Sequence, residues 1–174
     1  MGIILDGIVA SARRVRGYAD RLMSGIDAGI AATRPSPGGV EIDCNHPSFV
    51  LGHLGLYPVR LAGAFGVVDG DLAPPAEWND LFKAGAPCLH DPLGRTYPPF
   101  GRLLDHYVTS HDRLLDRLAG VDDGKLALET SEERLRQYFP TMSGLASFML
   151  CAHPMSHLGQ VSTWRRCMGL GSAM

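Results

Sequence analysis

Four long stretches of this chain repeat their apolar residues at helical spacing, and none alternates them convincingly as a half-buried strand would. The first runs from Ile4 to Ile30. Leu5, Ile8, Val9, Ala12, Val15, Ala19, Leu22, Met23, Ile26 and Ile30 make its stripe, and Arg13, Arg14, Arg16 and Asp20 lie between them. A second helix is predicted to begin near Asn45 to Pro47, because proline costs nothing in a first helical turn. Phe49, Val50, His53, Leu54, Tyr57 and Leu61 then share a face, and Pro58 bends or shortens the element. The third runs from about Phe100 to Ala119 and stops at Gly120. The fourth, capped by Thr141 or Ser143, reaches about Met168, with Gly169 beyond its end.

Between the second and third stripes, the segment from Val67 to Pro99 is rich in glycine and proline. Its one short helical candidate is "PAEWNDLFKAG". Between the third and fourth, "TSEERLRQYF" has the Thr130 to Glu133 spacing of a capping box and predicts a short helix. The expected architecture is an all-α four-helix bundle with a long crossover between helices 2 and 3, forming one domain over 1–174.

Composition narrows the partners. A net charge of −2 provides no electrostatic footprint for nucleic acid. No apolar run approaches a membrane span. Near the start, Asp6 interrupts the apolar stretch, and the basic residues follow it, the reverse of a secretory signal, so a cytoplasmic location is expected. Cys44, Cys88, Cys151 and Cys167 have no CxxC spacing and are expected to be reduced and to pack as small apolar residues.

The histidines are the residues with chemistry to offer. His53 falls on the apolar stripe of the second helix, so its imidazole faces the interior. His153 and His157 are four apart, about one helical turn, on an apolar face that includes Leu150, Val161 and Trp164. Three imidazoles from two helices can thus converge on one divalent ion, of which zinc and nickel are the leading candidates. Three protein ligands would leave a coordination position free, the mark of a catalytic rather than a structural site. His111, on the third stripe, is expected to be a hydrogen-bonded core residue, with a fourth ligand as the lesser alternative. Gln160, about one turn beyond His157, is placed to hydrogen-bond a ligand or a bound water. His46 is expected in a helix cap, His90 in the long loop and His106 off the stripe. Pro154 lies between the paired histidines. It removes a helical N–H and crowds the Leu150 carbonyl, so a kinked but unbroken helix is predicted.

The segments "FVLGHLGLYP" and "HPMSHLGQVSTWRRCMGL" resemble the DinB/YfiT-like superfamily of bacterial four-helix-bundle metalloproteins. That family places one histidine in an "LGHL"-type second helix and then H-x-x-x-H-x-G-Q in the fourth. The resemblance extends over nearly the whole chain. It implies a bundle, often a homodimer, holding a divalent ion through His53, His153 and His157. Some members of that superfamily are thiol-dependent transferases, so a low-molecular-weight thiol and a small-molecule substrate are also implied. The function expected on these grounds is metal-assisted activation of a thiol or water, of the S-transferase or hydrolase type. The alternative is a non-catalytic dimeric bundle that binds a metal or small ligand, for which a sealed site or a fourth protein ligand would be the sign.

Overall fold

The computed structural model describes residues 2–67 and 70–173, and among these the chain is all-helical, with one isolated antiparallel bridge between Glu129 and Thr141 and no strand. Helix α1 spans Ile3–Met23 and buries Leu5, Val9, Ala12, Arg16, Ala19 and Leu22, the three-to-four spacing of one helical face. Its first free N–H groups, on Ile4 and Leu5, donate to the Asp123 carboxylate at 3.0 and 2.9 Å. The expected extension to Ile30 does not form. Ser24 turns extended and Gly25 takes φ +72°, so Ile26 reaches the core from a turn rather than from a helix. Arg165 closes this end by donating to the carbonyls of Leu22 and Ser24, both at 2.8 Å. A helix-end arginine that would ordinarily be solvated is therefore buried.

Helix α2 (Pro47–Gly55) begins as the sequence predicts. Pro47 lies in its first turn, and His46 caps it by accepting from the Phe49 N–H at 3.2 Å. All nine of its residues are buried. The chain breaks at Leu56 and restarts as α3 (Tyr57–Phe65), with Pro58 in the new first turn, so Leu61 belongs to α3 and not to α2. The segment after α3 holds a short 3-10 turn, Gly70–Leu72, and α4 (Trp78–Phe82); Val68 and Asp69 lie outside the described residues. Beyond α4 the buried Asp91 carboxylate accepts from the N–H groups of Arg95, Thr96 and Tyr97 at 2.8 to 3.1 Å and so orders the connection.

Helix α5 (Phe100–Leu118) packs against α1, α2 and α3. Helix α6 (Glu133–Arg136) is short, and the expected capping box is not made: the buried Thr130 hydroxyl donates instead to the Phe139 carbonyl at 2.6 Å. The last long element is helical throughout but in three parts. These are α7 (Met142–Ser147), a π-turn (Phe148–Ala152) and α8 (His153–Cys167), which packs on α1 and α2. Around Pro154 the chain is neither a regular α-helix nor a loop; the wide turn precedes the proline, which sits in the first turn of α8.

Two apolar cores result. One gathers Phe49, Leu54, Trp78, Phe82, Leu158 and Trp164, and the other gathers Leu5, Val9, Leu61, Leu114, Leu145 and Leu150. Along both α2–α3 and the last element, the histidines fall where one core gives way to the other. Among the described residues no helix is long and apolar enough to cross a membrane.

Candidate metal centre

The junction brings His53, His153 and His157 together. The Nε2 atom of His153 lies 3.2 Å from that of His53 and 3.2 Å from that of His157. One ligand atom from each of the three lies within 4.8 Å of the others. For comparison, nitrogens bound at about 2.0–2.1 Å to one tetrahedral ion stand roughly 3.3–3.4 Å apart. His53 is buried and the other two are half-buried.

The outward nitrogens fix the tautomers. His53 Nδ1 lies 2.7 Å from the Phe82 carbonyl oxygen, which can only accept, so Nδ1 carries the proton and Nε2 presents its lone pair inward. His157 Nδ1 lies 3.2 Å from Gln160 Oε1, an oxygen that also receives the Asn45 amide at 2.9 Å. His157 is therefore also protonated at Nδ1, with a free Nε2. His153 faces both lone pairs, and its own Nδ1 is buried without a partner. In either neutral tautomer His153 leaves one polar nitrogen unanswered. A cation held among the three Nε2 atoms would satisfy all three inward lone pairs at once, so the donor set fits a divalent metal.

The electrostatics keep the ligands ready. Burial, joined by the neighbouring His157 and His53, lowers the pKa of His153 to about 3. Burial also lowers His53, against the opposing bond to Phe82, and lowers His157, against the opposing bond to Gln160. All three rings are thus neutral near pH 7, the form that binds metals.

The cluster has an open side. His153 and Tyr57 line a cavity of about 640 Å³, walled by Leu61, Leu135, Phe139 and Phe148. The Tyr57 hydroxyl lies 3.5 Å from His53 Nε2. Its pKa is raised by burial, with Arg60 and Arg134 pulling the other way.

Of the residues singled out from sequence, His111 does not join. Its Nδ1 donates to the Tyr107 carbonyl at 2.8 Å, and burial lowers its pKa to about 4. Gln160 does take part, through His157. His46 is the cap expected, and its Nε2 donates to the Leu89 carbonyl at 2.9 Å. His106 donates to the Gly55 carbonyl at 3.0 Å, and Trp164 donates to the Thr33 carbonyl at 2.8 Å from within the core. Sequence reasoning missed the Phe82 carbonyl, Asn45 and Arg60. None had a signal in the sequence; in the structure, the missing Cβ of Gly52 is what lets Phe82 approach, since a Cβ there would lie 2.4 Å from the Phe82 ring. No family profile matches this chain, and no curated protein matches its sequence.

Proposed function

We propose that this protein is a metal-dependent enzyme of the thiol-transferase or hydrolase type, in which His53, His153 and His157 hold one divalent ion. The observation that carries this reading is the open side of the cluster. His153 lines a cavity large enough for a small molecule and joins it to the other two imidazoles, and among the described residues no fourth histidine, cysteine or carboxylate joins the group. When bound, the ion supplies the Lewis acidity that lets a thiol or a water lose its proton near neutral pH.

The protein's own groups do the rest. Phe82 and Gln160 hold two imidazoles in the ligating tautomer, and Tyr57, Phe139 and Phe148 give the cavity beside them an aromatic wall. Tyr57 stays protonated at Oη at neutral pH and offers a donor at the mouth of the site. The helical order, the two histidine-bearing segments and the packing of α1, α2, α5 and α8 support membership of the DinB/YfiT-like superfamily, with the four-helix bundle and long crossover that this implies.

Elemental analysis of the untagged full-length protein tests the centre. About one divalent ion per chain is expected. His53→Ala, His153→Ala and His157→Ala should each lose it, whereas His111→Leu should keep it. Full occupancy in all three alanine variants would refute the site.

A further inference from the structure

We propose that the cavity beside the histidine cluster binds small carboxylates with an apolar body, gripped at the carboxylate end by Arg60. This deepens the reading above by naming the substrate class, and it rests on that reading only for the statement that the bound molecule reacts.

Three cationic side chains line the cavity, and two are already paired: Arg134 with Glu132 at 3.0 Å and Lys83 with Asp80 at 2.9 Å. Arg60 has no carboxylate partner among the described residues. One of its Nη atoms donates to the neutral Asn79 side chain at 2.9 Å, and its guanidinium lies over the Tyr57 ring, 5.4 Å from the centroid. Most of its five donors remain for something else. Glu132, a carboxylate on the cavity wall, faces Arg134, and the three imidazoles are neutral. The cavity therefore carries an unbalanced positive charge, and a divalent ion would add to it.

Shape and chemistry then narrow the class. A planar guanidinium fork matches the two oxygens of a carboxylate. Leu61, Leu135, Phe139, Phe148 and Met149 offer the rest of the molecule an apolar wall. The volume of about 640 Å³ falls in the range of small-molecule sites. Tyr57 links the two ends, since Arg60 lies over its ring and the His153 ring stands 4.9 Å from the same centroid. A carboxylate held at Arg60 thus runs its body along Tyr57 towards the histidines.

The test is isothermal titration of the full-length protein, zinc-loaded and chelator-stripped, with 4-phenylbutyrate, 4-phenyl-1-butanol and 4-phenylbutylamine. The carboxylate should bind about tenfold or more tightly than the alcohol, the amine more weakly than either. Arg60→Gln should lose about tenfold for the carboxylate while the alcohol, which also reports that the cavity is still folded, changes by less than about twofold. Asn79→Leu, which frees Arg60 without removing its charge, should weaken the carboxylate less than Arg60→Gln. Equal binding of alcohol and carboxylate, no binding of any of the three, or a carboxylate affinity that Arg60→Gln leaves unchanged would each overturn the proposal. Arg60-dependent carboxylate binding by a protein that retains no metal would leave this inference standing while the metal reading falls. Metal retention without Arg60 dependence would do the reverse.

Discussion

Replacing Gly52 with alanine should weaken metal binding by the three-histidine cluster without changing any of its imidazoles. Gly52 lies inside α2, next to His53, and a Cβ there would stand 2.4 Å from Phe82 Cε1 and Cζ and 2.5 Å from Cδ1. Carbon atoms rest about 3.5–4.0 Å apart, so the ring would have to retreat by roughly 1 Å or more. It has nowhere to go. Phe82 is fully buried, stacked on Tyr97 with ring centroids 5.6 Å apart and edge-on to Phe49 and Trp78 at 6.0 and 5.9 Å. Overpacking of this kind costs about 1–3 kcal/mol, against which alanine's better helix propensity returns up to about 1 kcal/mol. A net loss of about 1–2 kcal/mol should appear in urea denaturation of the metal-free protein. The same displacement carries away the Phe82 carbonyl that orients His53, so zinc affinity, measured by competition with a chromogenic chelator, should fall about 10–100-fold. Phe82→Leu in the Gly52→Ala background removes the clashing ring but keeps the backbone carbonyl, and should restore much of both. Unchanged stability would refute the clash, and unchanged zinc affinity in a destabilised variant would refute the coupling.

Gln160→Leu tests the second oriented histidine of the cluster. Gln160 is exposed, so stability should shift by less than about 0.5 kcal/mol, while zinc affinity falls about 10–100-fold because His157 loses its Nδ1 partner; equal affinity for variant and parent would dismiss the role. His46 should make the fold acid-sensitive: burial lowers its folded pKa to about 4 from an ordinary 6.5, so below pH 6.5 the unfolded chain takes up a proton that the folded chain refuses. Its share of stability is intact above 6.5 and lost as pH falls towards 4, at about 1.4 kcal/mol per pH unit, and His46→Asn, which keeps a capping oxygen, should lower that slope by about this amount in urea titrations between pH 6 and 4.5. Identical slopes would show that His46 does not titrate as the structure requires.

The helices were legible because burial imposes a period on the sequence, but the period could not distinguish an inward histidine that joins the cluster from one that does not. His111 and His53 both lie on apolar stripes. What separates them is that one reaches the carbonyl of Tyr107 on its own helix and the other the carbonyl of Phe82 across the crossover. Carbonyls belong to every residue, so composition cannot reveal which will serve. The overshoot of α1 has the same origin. Ile26 and Ile30 continue the apolar rhythm after the backbone has turned at Gly25, because packing asks where a side chain ends up and not how the chain arrives. The long connection, which had no assigned role from sequence, supplies the acceptor for His53, the acceptor for His46 at Leu89 and part of the cavity wall.

Pro154 shows most clearly how a local rule and the site inform each other. A proline two residues into a helix has no N–H to give, and an unmodified α-helix running into it would crowd the carbonyl four residues back. Here the preceding turn is widened, and the His153 N–H bonds to the carbonyl of Phe148, five residues back. One extra residue in a turn rotates everything before it by about 100° relative to everything after. The apolar face of α7 and the histidine face of α8 can therefore point in different directions on one continuous helical element. Met142, Leu145 and Ala146 stay in the core beside α1, while His153 turns to the cavity, stacked on Phe148 with centroids 5.7 Å apart. His157, one regular turn later, then meets it Nε2 to Nε2 at 3.2 Å. The proline thus fixes where the register changes, and the register change aims the histidine pair.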